Sequence, residues 1–429
     1  MLFGLFTDLY ELTMADAYMA AGLADEPATF DLFVRRLPER REVLVACGIA
    51  TALDRLASFR FDRQDLAYLR SLGLFDEALL DRLAAWDPHL EIRAVEEGEL
   101  VYAAEPLVSV TGPLLEAQVL ETLLINTVGL ETMIASKAAR VAAAAAGRTF
   151  VDFSARRDHG VDAALAAARA SYVGGAAATS LVLAGRRLGI PVTGTMAHSY
   201  VMAHADEVAA FVQFLGRYGE RSVLLVDTYG VETGARAAVA AMTTAGITAR
   251  AVRIDSGDLG AGALAARRIL DDAGFGAVRI LVSGDLDEDR IAELVGAGAP
   301  IDSFGVGTRL GTSSDAPYLG MVYKLVECAG VPRRKLSEGK PTLPGVKQVY
   351  RMPGRDVIAL AGEPEPPTSR PLLQPIWRRG VRLRPPELLA AVRDRCSSAL
   401  AHWSGPSEVL LSGGLAALVG DRRDLRVVE

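Results

Sequence analysis

One histidine of this 429-residue chain lies where it could take part in catalysis. His198 occurs in the stretch VTGTMAHSYVMAH, residues 192–204, after an apolar run and a turn rich in Gly and Thr. We therefore expect it just beyond the end of a strand. It has no metal-ligand spacing with His204, which argues against zinc. The remaining interpretations are a helix cap, a general acid or base, and an imidazole nitrogen that attacks phosphorus.

Two copies of the tetrapeptide SGDL also follow apolar runs, in residues 253–259 and 281–286. Ser, Gly and Asp form a tight turn with an N-cap, and the N–H groups of the next helix can receive an anion. Two ordinary helix caps would give the same pattern. The first copy adds Arg253 and Asp255, on one side of the strand, where they could hold a carboxylate and a ribose hydroxyl or Mg²⁺. The second copy contributes Ser283, Gly284 and Asp285.

A glycine-rich turn, FGVGTRLGTS at residues 304–313, follows another apolar run. Gly305 and Gly307 would let the backbone approach a ligand closely, and Thr308 adds a hydroxyl and an N–H group. Barrel enzymes commonly bind phosphate in the loops after their last strands. A plain turn is the alternative, and the absence of a P-loop lysine excludes a Walker NTPase.

The run VDFSARRDHG, residues 151–160, supplies an aromatic ring and cationic side chains at a further strand end. Phe153 could stack on a flat ligand, or it could belong to the core as most aromatic residues do. Arg156 could contact an anion or lie on a solvated face.

Short apolar runs alternate with amphipathic helical segments from about residue 149. This alternation predicts parallel βαβ units in a barrel or an open doubly wound sheet. In a barrel, the polar residues at the strand ends would meet on the face that carries active sites. The predicted strands are residues 149–154, 190–195, 222–227, 249–254, 279–283 and 301–306.

The two ends of the chain lack this alternation, so we predict a second domain built from both of them. The predicted domain limits are 1–115 for its N-terminal part, 116–327 for the barrel, and 328–429 for the returning C-terminal segment.

Charge and composition exclude several classes of function. The net charge of -7 and the pI of about 5.5 give no electrostatic case for binding nucleic acid or an anionic membrane. No stretch is expected to be long and apolar enough to span a bilayer. Three widely spaced cysteines suggest neither a disulfide scaffold nor a zinc site, and they fit a cytoplasmic location.

Taken together, these residues resemble the nicotinate phosphoribosyltransferases. The shared motifs occur in family order: TDLYELTMADAY, DFSARRDHG, GTMAHSY, DTYGVETGAR, RIDSGDLG, SFGVGTRLGTS and GKPTLPGVKQVYR. The resemblance implies that nicotinate and phosphoribosyl pyrophosphate give nicotinate mononucleotide and pyrophosphate, in NAD biosynthesis. ATP as a co-substrate and Mg²⁺ carried by the substrate phosphates are also implied.

The fold implied by this resemblance is α/β, an irregular parallel α/β barrel with a second, smaller mixed α+β domain built from both chain ends. A homodimer with shared active sites is implied as well. His198 is implied as the phosphorylated histidine, and Asp255 as a catalytic group near the ribose or its metal. The implied nicotinate contacts are Tyr10 (from the neighbouring subunit), Phe153, Thr195 and Arg253. The implied contacts to phosphoribosyl pyrophosphate are Arg156, Ser283, Gly284, Asp285, Gly305, Gly307 and Thr308.

Two loops depart from the family pattern. Ser154 and Ala155 stand where relatives often have Gly and another residue, and GGAAATS lacks the Gly-Thr of many members. The alternatives are therefore a phosphoribosyltransferase for nicotinamide or another pyridine carboxylate, and a barrel that binds sugar phosphates without catalysis.

Overall fold

The computed structural model describes residues 3–335, 342–405 and 407–420. The start of the GKPTLPGVKQVYR motif, residues 339–341, lies outside these ranges. The chain forms two compact units, residues 1–133 with 318–429, and residues 134–317. The unit built from both chain ends holds more residues than the central one, so the expectation of a smaller domain there is wrong. The domain limits set out from the sequence stay a prediction.

The α-helices of the described residues are, in chain order, α1 (Leu9–Ala20), α2 (Ile49–Leu56), α3 (Arg63–Ser71), α4 (Glu77–Ala84), α5 (Leu114–Gln118), α6 (Glu121–Ala144), α7 (Val161–Val173), α8 (Val182–Leu188), α9 (His198–Met202), α10 (Glu207–Tyr218), α11 (Val231–Ala245), α12 (Leu259–Asp272), α13 (Glu288–Gly296), α14 (Thr308–Gly311), α15 (Leu389–Ala401) and α16 (Gly413–Val419).

The strands are β1 (Pro27–Val34), β2 (Leu44–Val45), β3 (Glu91–Ala94), β4 (Leu100–Val101), β5 (Pro106–Pro113), β6 (Thr149–Asp152), β7 (Ala178–Thr179), β8 (Val223–Leu225), β9 (Ala251–Ile254), β10 (Arg279–Ser283), β11 (Ser303–Val306), β12 (Met321–Cys328), β13 (Val331–Pro332), β14 (Lys347–Met352), β15 (Arg355–Leu360), β16 (Arg370–Pro371), β17 (Gln374–Arg378), β18 (Val381–Arg382) and β19 (Glu408–Leu411).

The unit built from the chain ends contains a seven-stranded sheet in the order β13-β12-β1-β5-β3-β17-β18. Its strands pair antiparallel. Seven of the eight residues of β1 are buried, as expected for a central strand covered on both faces. The stacked rings of Phe30 and Tyr323, 4.9 Å apart, belong to its core. A second sheet has the order β16-β14-β15-β19.

The central unit contains a six-stranded sheet in the order β7-β6-β11-β10-β9-β8. All of its strand pairs are parallel, which confirms a mixed α/β protein with a parallel sheet. Strands are found in all the predicted runs except residues 190–195, which make one bridge from Val192 to Thr179. Pro191 lacks an N–H group and can only accept, from the N–H of Thr179 at 3.0 Å. The short β7 that carries Thr179 was not predicted.

One helical segment corrects an expectation from the sequence. Leu114–Ala144 is long and apolar enough to cross a membrane by length and composition alone. However, 72% of its most apolar window is buried inside the protein, which is typical of a core helix. The expectation that no such stretch exists was therefore wrong.

The parallel strands end at the residues that the sequence singled out. Phe153, Asp255 and Gly307 are the first residues after β6, β9 and β11, and Ser283 is the last residue of β10. Since the carboxyl ends of parallel strands lie at one edge of a sheet, the fold places these residues near one another.

Candidate active site

Arg253 lies at the centre of a cluster of polar side chains in the central unit. Its Nε donates to Ser283 Oγ at 2.8 Å, and one terminal nitrogen donates to Thr195 Oγ1 at 2.8 Å. The other terminal nitrogen donates to Asp255 Oδ1 at 2.6 Å. The Arg253 side chain is only 11% exposed. Two strand ends and the loop that carries Thr195 thus hold one guanidinium in a fixed orientation.

Asp255 has one oxygen that is hydrogen-bonded and one that faces His198. Oδ1 accepts from Arg253 and from Ser283 Oγ, the latter at 2.5 Å. Oδ2 lies 3.9 Å from His198 Nε2. Gly284 allows this arrangement, because a Cβ there would lie 2.2 Å from the Asp255 carbonyl oxygen and its φ is +100°.

His198 begins the short helix α9, and its side chain is 40% exposed. Nδ1 lies 3.2 Å from Thr228 Oγ1, within hydrogen-bonding distance. This contact leaves Nε2 as the nitrogen directed to the Asp255 side. The ring is therefore held at one nitrogen and accessible at the other, as a nucleophile or an acid-base group requires.

Phe153 places an aromatic face against the same guanidinium. The Arg253 Cζ atom lies 5.4 Å from the ring centroid. Gly305 supports the ring from another side, because a Cβ at that position would lie 2.5 Å from Phe153 Cε2. The buried Asp152 fixes the turn, since it accepts from the Ser154 N–H, Ser154 Oγ and Thr179 Oγ1 at 2.9, 2.6 and 2.8 Å. Burial raises the pKa of Asp152, and these hydrogen bonds oppose the rise.

Asp227 and Thr228 were not among the candidate site residues, although they belong to the same cluster. Asp227 Oδ2 accepts from the Asp255 N–H at 2.9 Å and from Ser256 Oγ at 2.6 Å. Asp227 Oδ1 is buried and has no hydrogen-bond partner among the described residues. The usable signal was position, since Asp227 and Thr228 lie two and three residues beyond the end of β8.

An open cavity of about 620 Å³ adjoins Asp255. Its lining comes mainly from the loops after β9 and β10 and from α13, and it includes several carboxylates and two arginines. The lining includes Ser256, Gly284, Asp285, Asp287 and Arg309.

Asp158 is a second carboxylate with a shifted pKa near the DFSARRDHG turn. Ser154 Oγ donates to its Oδ2 at 3.0 Å, while Oδ1 is buried without a partner among the described residues. Burial raises its pKa from 3.8 to about 6.

Arg156 and Thr308 are not members of this hydrogen-bonded cluster. Arg156 is exposed and forms no ion pair within the part of the chain that the structure describes, and Thr308 is exposed at the start of α14. Tyr10 belongs to α1 of the other unit and is 45% exposed. Partial burial and the neighbouring Glu121 raise the pKa of Tyr10. The structure thus joins His198, Thr195, Arg253, Asp255, Ser283, Phe153 and Gly305.

The chain is similar to proteins of one family over most of its length. Residues 5–129 match the model for the nicotinate phosphoribosyltransferase (NAPRTase) N-terminal domain. Nicotinate phosphoribosyltransferase pncB2 of Mycobacterium tuberculosis H37Rv is 47% identical over 387 residues, which cover 89% of this chain and 83% of that protein. The nicotinate phosphoribosyltransferase of Bacillus subtilis is 41% identical, covering 81% and 73%. The crystal structure of human nicotinic acid phosphoribosyltransferase gives a TM-score of 0.85 at 30% identity, covering 96% of this chain and 99% of that one.

Proposed function

The chain belongs to the nicotinate phosphoribosyltransferase family, and from that premise we propose how its residues carry out the reaction. It is an enzyme that transfers the phosphoribosyl group of phosphoribosyl pyrophosphate to nicotinate, a step of NAD biosynthesis. The observation that carries the proposal is the hydrogen-bonded cluster around Arg253, with Asp255 between this guanidinium and His198.

Nicotinate binds at the guanidinium and the aromatic ring. The pyridine ring stacks on Phe153, and its carboxylate accepts from Arg253 and Thr195 Oγ1, which already form one hydrogen-bonded group. This orients the ring nitrogen toward C1 of the ribose. Tyr10, exposed on α1, contacts nicotinate from the neighbouring subunit of a homodimer.

The phosphoribosyl donor binds at the loops after β10 and β11. Ser283, Gly284 and Asp285 contact its ribose and phosphates in one loop. Gly305, Gly307 and the exposed Thr308 lie in the other, and Arg156 adds a cation. Cleavage of the C1–pyrophosphate bond leaves a cationic, oxocarbenium-like sugar, and the Asp255 carboxylate stabilises it electrostatically.

Mg²⁺ accompanies the donor phosphates. The carboxylate oxygens here fit a hard cation. Asp227 Oδ1 is buried without a partner among the described residues, and no N–H or O–H group of those residues lies within hydrogen-bonding distance of Asp255 Oδ2. Asp227 and Asp255 would hold the ion, which would neutralise charge on the leaving pyrophosphate.

ATP is coupled to the transfer through His198. The γ-phosphoryl group passes to Nε2, with formation of an N–P bond and release of ADP, and water later cleaves that bond to give phosphate. Nε2 is the favoured nitrogen because Nδ1 is within hydrogen-bonding distance of Thr228 Oγ1. A phosphoryl group there would lie beside the Asp255 carboxylate, and their repulsion would reorganise the pyrophosphate site.

On the scale of the whole chain, we propose that the parallel sheet belongs to an irregular barrel and that the unit built from both chain ends is the second domain. The parallel strand order supports the first point. The three cysteines, Cys47, Cys328 and Cys396, form no disulfide within the described residues, which supports a cytoplasmic location.

The test of ATP coupling is His198→Ala, with nicotinate mononucleotide measured by mass spectrometry with and without ATP. The variant should retain a slow transfer that ATP does not accelerate, whereas the wild type gains from ATP. His204→Ala is the matched control, because this histidine lies in the same segment but bonds only to the Tyr200 carbonyl among the described residues. A full ATP gain in His198→Ala would exclude the phosphohistidine.

Substrate choice has its own test, since nicotinamide and other pyridine carboxylates remain alternatives. A guanidinium beside the ring favours an acid over an amide. Nicotinate, nicotinamide and quinolinate should be compared with the same donor, and nicotinate should give the highest kcat/KM. Equal rates with nicotinamide would contradict the role of Arg253.

A further inference from the structure

Two sets of ion pairs join the segment after β10 to the segment after β11. The first set lies beside the cavity, where an Arg309 terminal nitrogen is 2.5 Å from Asp287 Oδ2. Asp287 also caps α13, because its Oδ1 accepts from the Arg290 N–H at 2.9 Å. One carboxylate therefore fixes the start of α13 and contacts α14.

The second set is buried and centres on Lys137 of α6. Lys137 Nζ is 2.5 Å from Glu288 Oε2 and 2.9 Å from Asp315 Oδ1, and these three side chains are 2%, 6% and 8% exposed. Arg140, one turn further along α6, is 3.0 Å from Glu288 Oε1. Two cations and two carboxylates thus share one site inside the central unit.

These contacts fix the far ends of both loops. At their near ends the strands pair in parallel, with Ser283 opposite Gly305. At their far ends Glu288 begins α13, and Asp315 follows α14. Lys137 contacts both of these residues. Gly284 lies in the loop after β10, and Gly307 lies in the loop after β11. The separation between these two glycine loops is therefore set by strand pairing at one end and by the Lys137 ammonium group at the other.

A structural role alone does not explain why charges occupy this place. Well-packed apolar residues often stabilise a protein as well as a buried ion pair does, while ion pairs impose a defined geometry. Phosphate binding by backbone N–H groups depends strongly on geometry, since a misplacement of about 1 Å can cost about 100-fold in rate.

We propose that Lys137 is a positioning residue for the phosphoribosyl donor, and that it acts by setting the distance between the two glycine loops. This inference rests on the proposed binding of the donor to those loops. Lys137 does not touch the substrate. Its loss should therefore weaken binding of the donor far more than binding of nicotinate, which uses Arg253 and Phe153.

The test is steady-state kinetics of Lys137→Met with each substrate varied in turn. We expect the KM for phosphoribosyl pyrophosphate to rise about tenfold, and the KM for nicotinate to change less than about twofold. Lys137→Arg, which retains the charge, should restore part of the loss. The matched control is Lys347→Met in the other unit, where the lysine is also 2% exposed and lies 3.0 Å from Asp31. This control should lower the Tm without a selective change in the KM for the donor.

Two further variants decide the result if Lys137→Met does not fold. Arg309→Gln removes the first ion pair at a half-exposed position and should raise the KM for the donor in the same direction, by about threefold. Thr308→Val removes a proposed direct contact to the donor. If Thr308→Val raises that KM while the Lys137 and Arg309 variants change both KM values equally or neither, Lys137 has no positioning role. If Thr308→Val also leaves the KM for the donor unchanged, these loops do not bind the donor. The positioning role of Lys137 and the proposed donor site then fail together, while the transferase activity of the wild type is unaffected.

Discussion

Arg253 in the central unit and Arg351 in the unit built from the chain ends have similar neighbours. The two arginines differ in how firmly their hydrogen-bond partners are held. Each guanidinium lies over an aromatic ring, Phe153 at 5.4 Å and Tyr102 at 5.9 Å. Arg351 forms a bidentate pair with Asp356, at 3.0 and 2.6 Å, and also donates to the Leu100 carbonyl at 2.7 Å.

A substrate could replace hydrogen-bond partners of Arg253 more easily than those of Arg351. Arg253 has a single contact to its carboxylate and gives its other two donors to the hydroxyls of Thr195 and Ser283, which can rotate toward a ligand. Asp255 is 24% exposed, whereas Asp356 is fully buried. Burial lowers the pKa of Arg351, but Asp356 more than offsets this and keeps it above its ordinary value. The comparison indicates that Arg351 maintains structure and that Arg253 is available to a substrate.

The strongest test replaces each arginine by methionine. Arg253→Met should reduce kcat/KM for nicotinate about 100-fold with a small change in Tm, because a charged contact to the substrate is lost. Arg351→Met should lower the free energy of unfolding by about 3–5 kcal/mol, because Asp356 would remain fully buried without its cation. Kinetics on folded protein and chemical denaturation measure the two effects. Equal losses of activity per folded molecule would remove the distinction.

A smaller effect is expected when the ring beneath Arg253 is displaced. In Gly305→Ala the new Cβ would meet Phe153 Cε2 at 2.5 Å and Ser283 Cβ at 3.1 Å, so the ring must move. We expect the KM for nicotinate to rise about tenfold, which corresponds to about 1.4 kcal/mol.

The matched control is Gly262→Ala in α12, where the nearest atom would lie at 3.5 Å. This substitution should leave kinetics unchanged and stabilise the protein by about 0.4–1 kcal/mol. An unchanged KM in Gly305→Ala would show that nicotinate does not use the Phe153 ring.

A pH-dependent effect on stability concerns Asp158, a carboxylate with no guanidinium partner among the described residues. Its pKa is raised by burial from 3.8 to about 6, so the folded state holds the proton where the unfolded state has lost it. Stability from this group is present below about pH 4 and is lost as the pH rises to about 6. The unfolding free energy of Asp158→Asn, relative to wild type, should therefore increase between pH 4 and pH 6 and stay constant above. A pH-independent difference would show that Asp158 carries no such shift.

The sequence predicted where the site residues lie along the chain better than it predicted their contacts. A βα pattern places polar residues at strand ends, and the ends of β6, β9, β10 and β11 followed that rule. The contact between Arg253 and Thr195 joins segments far apart in sequence, and no local pattern encodes it. The same holds for Lys137, which lies within a helix whose sequence reads as ordinary and apolar.

Two expectations failed for local reasons. Residues 190–195 have the composition of a strand, but Pro191 removes a donor and the segment makes only one bridge. The two-residue β7 is too short to produce any periodicity, so pairing with β6 alone defines it. The relative size of the two units could not be read from the chain, because it depends on which distant segments pack together.

The strand order also determines when this protein can fold during synthesis. β6 pairs with β11, and β1 pairs with β12, so each main sheet joins an early segment to a late one. Neither sheet is complete until the ribosome has released residues beyond 300. Long sequence separation between paired strands slows folding and leaves strand edges exposed in the meantime. Nascent chains of this enzyme should therefore depend on chaperones, and truncation near the C-terminal end of the gene should destabilise a unit that begins at the first helix.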